Sequence, residues 1–214
     1  MSSSKRQGPI TATELMAQLA NDPEYQRRFR EAEALRQERA RLLGVAEQPI
    51  IRDLRDVGVI VDSLWDLVNP PELCPEALPV LMEHLERGGY PERIMERLGR
   101  ALAVKPSVTY WTRLRQRFLE SRDAGEETGA AVALAACAGK DQVDDLISLL
   151  SVEAKGDNRL FFVRPILRLG GDRGRDLVES LRDDPVFGKE ATALLARRKP
   201  RRRDADQKEP DGSA

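Results

Sequence analysis

The segments DQVDDLISLL at residues 141–150 and DRGRDLVESL at residues 172–181 repeat one pattern of acidic and apolar residues, 31 positions apart. Each copy follows a glycine-containing turn, Gly139-Lys140 or Gly170-Gly171, and each precedes a second apolar segment. Self-similarity at this period is typical of stacked helical hairpins, because a single hairpin cannot cover its own apolar face. The sequence therefore predicts an array of antiparallel helix pairs around this repeat.

The same register extends towards the N-terminus. Equivalent positions in the first helix of four units, separated by 33, 32 and 31 residues, hold Leu81, Leu114, Leu146 and Leu177. The position four residues later holds Leu85, Phe118, Leu150 and Leu181, and the position three residues earlier holds Leu78, Trp111, Val143 and Gly174. In the second helix, apolar triplets recur at 98/101/102, 131/134/135, 163/166/167 and 191/194/195. Their i, i+3, i+4 spacing places each triplet on one helical face. We predict an all-α fold with about four antiparallel helix pairs over residues 72–198.

Several stretches of this array resemble the HEAT-like family, especially the short units first known from phycobilisome lyases. ALPVLM at residues 77–82 resembles the first HEAT helix with its proline, and the two glycine-containing turns resemble the turn between repeats. Arg159 matches the arginine that opens the family's second helix, a position that holds Ile94, Glu127 and Phe187 in the other units. The resemblance covers roughly residues 72–198. It implies a right-handed α-solenoid whose second helices line a concave face, commonly with a protein-binding role, and it does not imply lyase activity.

The residues before the array follow other local patterns. Residues 1–10 are polar and predicted to be disordered, and Thr11 with Glu14 fits a capping box before a short helix over residues 15–20. Asp22-Pro23 predicts the start of a long charged helix over residues 23–43, which we expect to stop at Gly44. Pro49 predicts a further short helix, and Asp62 or Ser63 a third. We expect residues 11–70 to form a helical cap on the array, with the long helix lying along it.

Composition and charge narrow the class of protein. One third of the residues are charged, yet the formal net charge is only -1, which argues against a chain coated with basic groups for non-specific nucleic-acid binding. Arginine greatly outnumbers lysine, as in proteins from GC-rich bacterial genomes. Cys74 and Cys137 fall in apolar helical patterns and predict core thiols in a reducing compartment. No signal-peptide pattern or membrane-length apolar run occurs, so we expect a soluble cytoplasmic protein that binds no membrane, with a disordered basic-then-polar tail over residues 199–214.

No catalytic, metal or cofactor site is predicted. His84 is the only histidine, and it has no second histidine and no neighbouring cysteine with which to bind zinc. The sequence contains no Gly-x-Ser-x-Gly turn that would present a serine nucleophile. We expect His84 to be an ordinary, partly exposed residue and the protein not to be an enzyme.

Candidate binding residues lie in the second helices, which are net basic in three of the four units. If these helices line a concave face, as the resemblance implies, the groove is positive through Arg93, Arg97, Arg100, Arg164 and Arg168. Phe161 and Phe162 are adjacent, and adjacent helix residues point about 100° apart, so both cannot face the same core layer. We expect one of them, with Ala133 and Pro165, to form an exposed apolar floor rimmed by Arg100, Arg164 and Arg168. Two alternatives stay open: the charges of paired helices neutralise each other, or residues 23–43 cover the floor.

These features predict a non-enzymatic scaffold or adaptor that binds a protein partner through its concave face. The identity of that partner and the oligomeric state are not predicted. The alternative is a DNA-binding HEAT-like protein, similar to some alkylpurine DNA glycosylases, whose groove arginines would hold phosphates. Trp111 would be the aromatic residue of such a site, but its place in the core register favours the protein partner.

Overall fold

The computed structural model describes residues 10–70 and 72–197, and within them every regular element is helical. These ranges contain ten α-helices: α1 (Ala12–Ala20), α2 (Pro23–Asp56), α3 (Ala77–Arg87), α4 (Glu92–Ala101), α5 (Trp111–Glu120), α6 (Ala124–Cys137), α7 (Val143–Leu150), α8 (Leu160–Leu169), α9 (Gly171–Ser180) and α10 (Gly188–Arg197). The all-α prediction is confirmed. Of the residues predicted to be disordered, 1–10 and 199–214, all but Ile10 lie outside the described residues.

Helices α3 to α10 pack in consecutive pairs: α3 on α4, α5 on α6, α7 on α8 and α9 on α10. The second helices also pack on one another in chain order, α4 on α6, α6 on α8 and α8 on α10. Of the ladder leucines, Leu81, Leu114 and Leu146 are fully buried and Leu177 is half-buried. The second-helix triplets are buried as well, apart from the half-buried Ala135. The predicted apolar register therefore forms the core.

Glycines allow α4 and α6 to approach closely. A Cβ atom added to Gly99 would collide with the backbone of Gly129, and one added to Gly125 would collide with the carbonyl group of Glu92. Only residues without a side chain permit this contact. The position of α6, and of the outward-facing residues it carries, is therefore fixed by backbone packing against α4.

Arg159, which the family resemblance singled out, is buried at the start of α8. Its guanidinium donates hydrogen bonds to the carbonyl oxygens of Leu150 and Gly156, each at 3.0 Å, and lies 5.0 Å from the ring centroid of Phe187. This side chain thus ties the end of α7 and the segment before α10 to α8, which gives it a structural role.

Helix α2 is longer than the sequence predicted. It neither stops at Gly44 nor restarts at Pro49, but runs continuously from Pro23 to Asp56. Ile50 and Leu54 are fully buried where the end of α2 packs on α3 and α4. Tertiary packing of this kind outweighs the local cost of a glycine and a proline within a helix.

The first two helices also do not lie along the array as expected. The first buried residue of α2 is Glu47, and the helix residues before it are exposed or half-buried. Helix α1, which has the expected capping box between Thr11 and Glu14, packs against the start of α2. We call residues 12–42 the arm. The idea that residues 23–43 cover the apolar floor is wrong, since none of them lines the groove described below.

Candidate functional site

A groove of about 520 Å³ lies on the side of the second helices, between α6 and α8 and reaching α10. We call it the α6/α8 groove. Its lining residues are Val132, Ala135 and Ala136 of α6, Leu160, Phe161, Arg164, Pro165 and Arg168 of α8, and Glu190 of α10. Most of these side chains are apolar, and they come from three consecutive second helices.

The two adjacent phenylalanines point in different directions, as the helical geometry predicted. Phe162 is fully buried, and its ring meets that of Phe118 edge to face with 5.2 Å between centroids. Phe161 is 38% exposed and lines the groove. Phe161 is therefore available to a partner, whereas the assignment of Phe162 as a partner-binding residue is wrong. Ala133 and Pro165 are both buried, but Pro165 lines the groove and Ala133 does not.

Arg164 and Arg168 lie one turn apart on α8, are exposed and line the same groove. Within residues 10–70 and 72–197, neither guanidinium has a carboxylate within ion-pair distance. The lining includes one acidic residue, Glu190. The groove thus combines an apolar floor with a net positive edge.

The other three predicted arginines do not line this groove. Arg100 does not line the groove, and it is paired with Glu96 of the same helix, with 2.7 Å between Nε and Oε1. Arg97 forms an ion pair with the buried Glu47. Arg93 lines a separate cleft at the start of α4. Neither ion pair joins α4 to its paired helix α3, because Glu47 belongs to α2 and Glu96 to α4 itself, so these contacts are not the neutralisation between paired helices that was left open.

A cluster around Arg97 includes a residue that sequence reasoning did not assign. The Arg97 guanidinium lies 5.9 Å from the ring centroid of Trp65, which is largely exposed. Glu47 also accepts a hydrogen bond from the backbone N–H of Leu64 at 3.1 Å. The cluster thereby joins α2, the turn at Leu64–Leu67 and α4. No spacing in the sequence could place Trp65 beside Arg97, because the contact depends on how three separate segments pack.

His84 is buried rather than partly exposed, which corrects the expectation from sequence. Its Nε2 lies 3.0 Å from Oδ2 of Asp53, and its Nδ1 lies 2.6 Å from the hydroxyl of Tyr90. Burial lowers the pKa of His84 below its ordinary value, and the positive charge of Arg87 adds to this, while Asp53 and Glu83 oppose it. The imidazole therefore links α2 and α3 to the loop between α3 and α4, which gives it a structural role.

Because the pKa of His84 is lowered on folding, the unfolded chain binds the proton more readily than the folded chain. We therefore expect the free energy of unfolding to fall as the pH drops below about 6.5, the ordinary pKa of histidine. Denaturant titrations between pH 8 and pH 5, roughly the range in which histidine titrates, should show a smaller pH dependence for His84→Gln than for the wild-type protein. Identical pH profiles of the two proteins would contradict this prediction.

Trp111 has a structural role. It is buried, and its Nε1 donates a hydrogen bond to Oδ2 of Asp145 at 2.7 Å, which links α5 to α7. Its ring is therefore not presented for stacking on a nucleic-acid base.

Cys137 is buried and its pKa is raised to about 12 by burial, as expected for a thiol in the core.

No helix within the described residues combines the length and the apolar character needed to cross a bilayer. In the same ranges, no three side chains of His, Cys, Asp or Glu converge in a way that could hold a metal ion.

Comparisons with protein-family models, with curated proteins and with solved structures found no significant match to this chain.

Proposed function

We infer that this chain is a non-enzymatic, cytoplasmic adaptor that binds a protein partner in the α6/α8 groove. In this proposal residues 72–198 form a right-handed, HEAT-like α-solenoid, and the groove lies on its concave face. The packing of α4, α6, α8 and α10 in chain order supports that arrangement. The observation that carries the function is an exposed Phe161 beside Arg164 and Arg168, two arginines without an ion-pair partner among residues 10–70 and 72–197.

The composition of the groove fits protein recognition. Binding energy at protein interfaces is concentrated in aromatic and arginine side chains near the centre, surrounded by contacts that exclude water. Phe161 and the flanking Val132 and Ala136 provide an apolar centre, and the arginines one turn apart provide directional hydrogen bonds at its edge. A partner segment with apolar and acidic side chains would match both features.

The decisive experiment is capture of partners from the native host by the purified wild-type chain and by Phe161→Ala, followed by titration of each purified candidate. We expect Phe161→Ala to weaken binding of the true partner by about 30-fold or more, corresponding to roughly 2 kcal/mol for an aromatic residue at the centre of an interface. Phe161 is partly exposed, so circular dichroism should show an unchanged helical fold.

Ile60→Ala is the matched control, because Ile60 is a large apolar residue, 82% exposed, that does not line the groove. It should leave binding unchanged. A partner that binds wild type and Phe161→Ala with equal affinity does not use this groove. If all captured partners behave in that way, the proposed function is wrong.

DNA binding, the second candidate, is less favoured by the groove. Three of the five predicted arginines are placed elsewhere or paired with carboxylates, and Trp111 is buried. A titration with duplex DNA at two salt concentrations separates the two functions, since phosphate contacts make affinity fall steeply with salt. We expect a captured protein partner to show a much weaker salt dependence than a DNA-binding protein would. The titration should be repeated on a chain ending at Arg198 to remove the basic residues 199–203.

A further inference from the structure

The two helices that border the α6/α8 groove each present a stripe of side chains to it. On α8, Phe161, Arg164 and Arg168 recur at i, i+3 and i+7, so they lie within about 60° of one another around the helix axis. The lining residues of α8 span positions 160–168, which is about 12 Å along that axis. The groove is therefore long enough for about two turns of another helix.

The α6 side of the groove consists of small apolar side chains. Residues 129–138 contain no charged side chain, and Val132, Ala135 and Ala136 of this stretch are half-buried at the groove. A helix that is apolar on every side is typically covered on every side. Small side chains also allow another helix to approach closely, because the distance between packed helices depends on the side chains at the contact. This side of α6 therefore has the character of a helix-packing surface that is open to the groove.

A helix suits this lining better than an extended segment does. An extended segment on an apolar floor needs hydrogen-bond partners for its own N–H and C=O groups, whereas a helix forms these bonds internally. The backbones that line the groove lie in α6, α8 and α10, where most of their hydrogen-bonding groups are already paired. Among the described lining residues, the only polar side chains are those of Arg164, Arg168 and Glu190. The groove therefore offers an extended segment few partners for its backbone.

The charges of the groove specify the chemistry of such a helix. Arg164 and Arg168 are like charges at i and i+4, which repel each other, and the lining opposes them with one carboxylate, that of Glu190. A helix lying along α8 repeats the same interval of about 6 Å and 40° between its own residues i and i+4, in either direction. We propose that the α6/α8 groove binds an amphipathic helix whose apolar stripe packs on α6 and Phe161, and whose two carboxylates, four residues apart, pair with Arg164 and Arg168. This inference rests on the proposed function, since it takes the groove as the site of the protein partner.

Synthetic peptides test the proposal without a natural partner. The probe is a fluorescently labelled alanine-based peptide of about 20 residues, long enough to be helical in isolation, with a leucine stripe and two glutamates four residues apart beside it. We expect saturable binding to the full wild-type chain by fluorescence anisotropy. A control peptide of the same composition carries its two glutamates two residues apart, on opposite sides of the helix, and should bind about 10-fold more weakly. A third peptide, with a central proline that breaks the helix, should also bind about 10-fold more weakly or worse.

Variants of the chain locate the bound peptide. Phe161→Ala should weaken binding of the first peptide by about 10-fold or more, and the charge reversal Arg164→Glu/Arg168→Glu by about 30-fold. A peptide with lysines in place of both glutamates should bind the reversed variant better than the wild type, because it restores both pairs with opposite sign. The control is Arg28→Glu/Arg39→Glu, which makes the same change of net charge in the arm and should bind the first peptide like the wild type. All four arginines are exposed, so circular dichroism should show the helix content of the wild type.

Three results would overturn the proposal: no binding of the first peptide at about 1 mM, the weak end of specific recognition, equal binding of the two glutamate spacings, or unchanged binding to Phe161→Ala. The capture experiment fails separately. A natural partner that needs Phe161 but binds through a segment that tolerates proline would support the adaptor function and overturn the helix. Peptides that behave as expected, while no captured partner depends on Phe161, would support the helix-binding groove and overturn the adaptor function.

Discussion

Replacing Gly99 with alanine is expected to lower the free energy of unfolding by about 2–4 kcal/mol, a large fraction of the stability of a domain this size. The new Cβ atom would collide with the backbone of Gly129, so α4 and α6 would have to separate along their whole contact. This cost exceeds the benefit of about 1 kcal/mol that alanine brings to a helix. Thermal unfolding should shift downwards by roughly 6–12 °C, and denaturant titration should give the matching loss of free energy.

Gly44 provides the matched control, because it also lies inside an α-helix but has no atom within 4 Å of the Cβ position. Gly44→Ala should raise the free energy of unfolding by about 0.5–1 kcal/mol through helix propensity alone. The same substitution is therefore expected to lower the free energy of unfolding at Gly99 and to raise it at Gly44. If Gly99→Ala were neutral or stabilising, α4 and α6 could not be packed as closely as described.

The contrast between these glycines also shows which parts of the fold a sequence can predict. The register of Leu81, Leu114 and Leu146 could be predicted because the need to bury one helical face repeats at a fixed interval. The length of α2 could not be predicted from Gly44 and Pro49. Both are local signals for a helix end, and the burial of Ile50 and Leu54 in distant contacts overrides them.

The candidate site was predictable to a similar degree. The 100° separation between adjacent helix residues correctly showed that Phe161 and Phe162 face different environments, but it could not show which one is buried. Arg164 and Arg168 were found from the charge of the second helices. The pairing of Arg97 with Glu47, and the burial of His84 against Asp53, join residues 50 and 31 positions apart, so no local pattern could reveal them.

Replacing Glu47 with alanine is expected to destabilise the protein by about 3 kcal/mol. Glu47 is 3% exposed, and its carboxylate both pairs with Arg97 and accepts the hydrogen bond from the backbone N–H of Leu64. Its removal leaves a partly buried guanidinium without its partner and a buried N–H without its acceptor, and each of these is costly. Denaturant titration of Glu47→Ala against the wild type measures the loss.

Arg97→Met should be similarly destabilising, because it leaves the buried carboxylate of Glu47 without a counter-charge. The free energy of unfolding of the double variant Glu47→Gln/Arg97→Met should be close to that of the wild type. This variant removes both charges, and glutamine can still accept a hydrogen bond from the N–H of Leu64. If the loss in the double variant equals the sum of the losses in Glu47→Gln and Arg97→Met measured singly, the two side chains do not act as a pair. A stable double variant also separates structure from function at Arg97: if Arg97 serves only to hold α4 against α2, this variant should bind the partner of the α6/α8 groove with wild-type affinity. If a folded double variant loses that binding, Arg97 is a partner-binding residue.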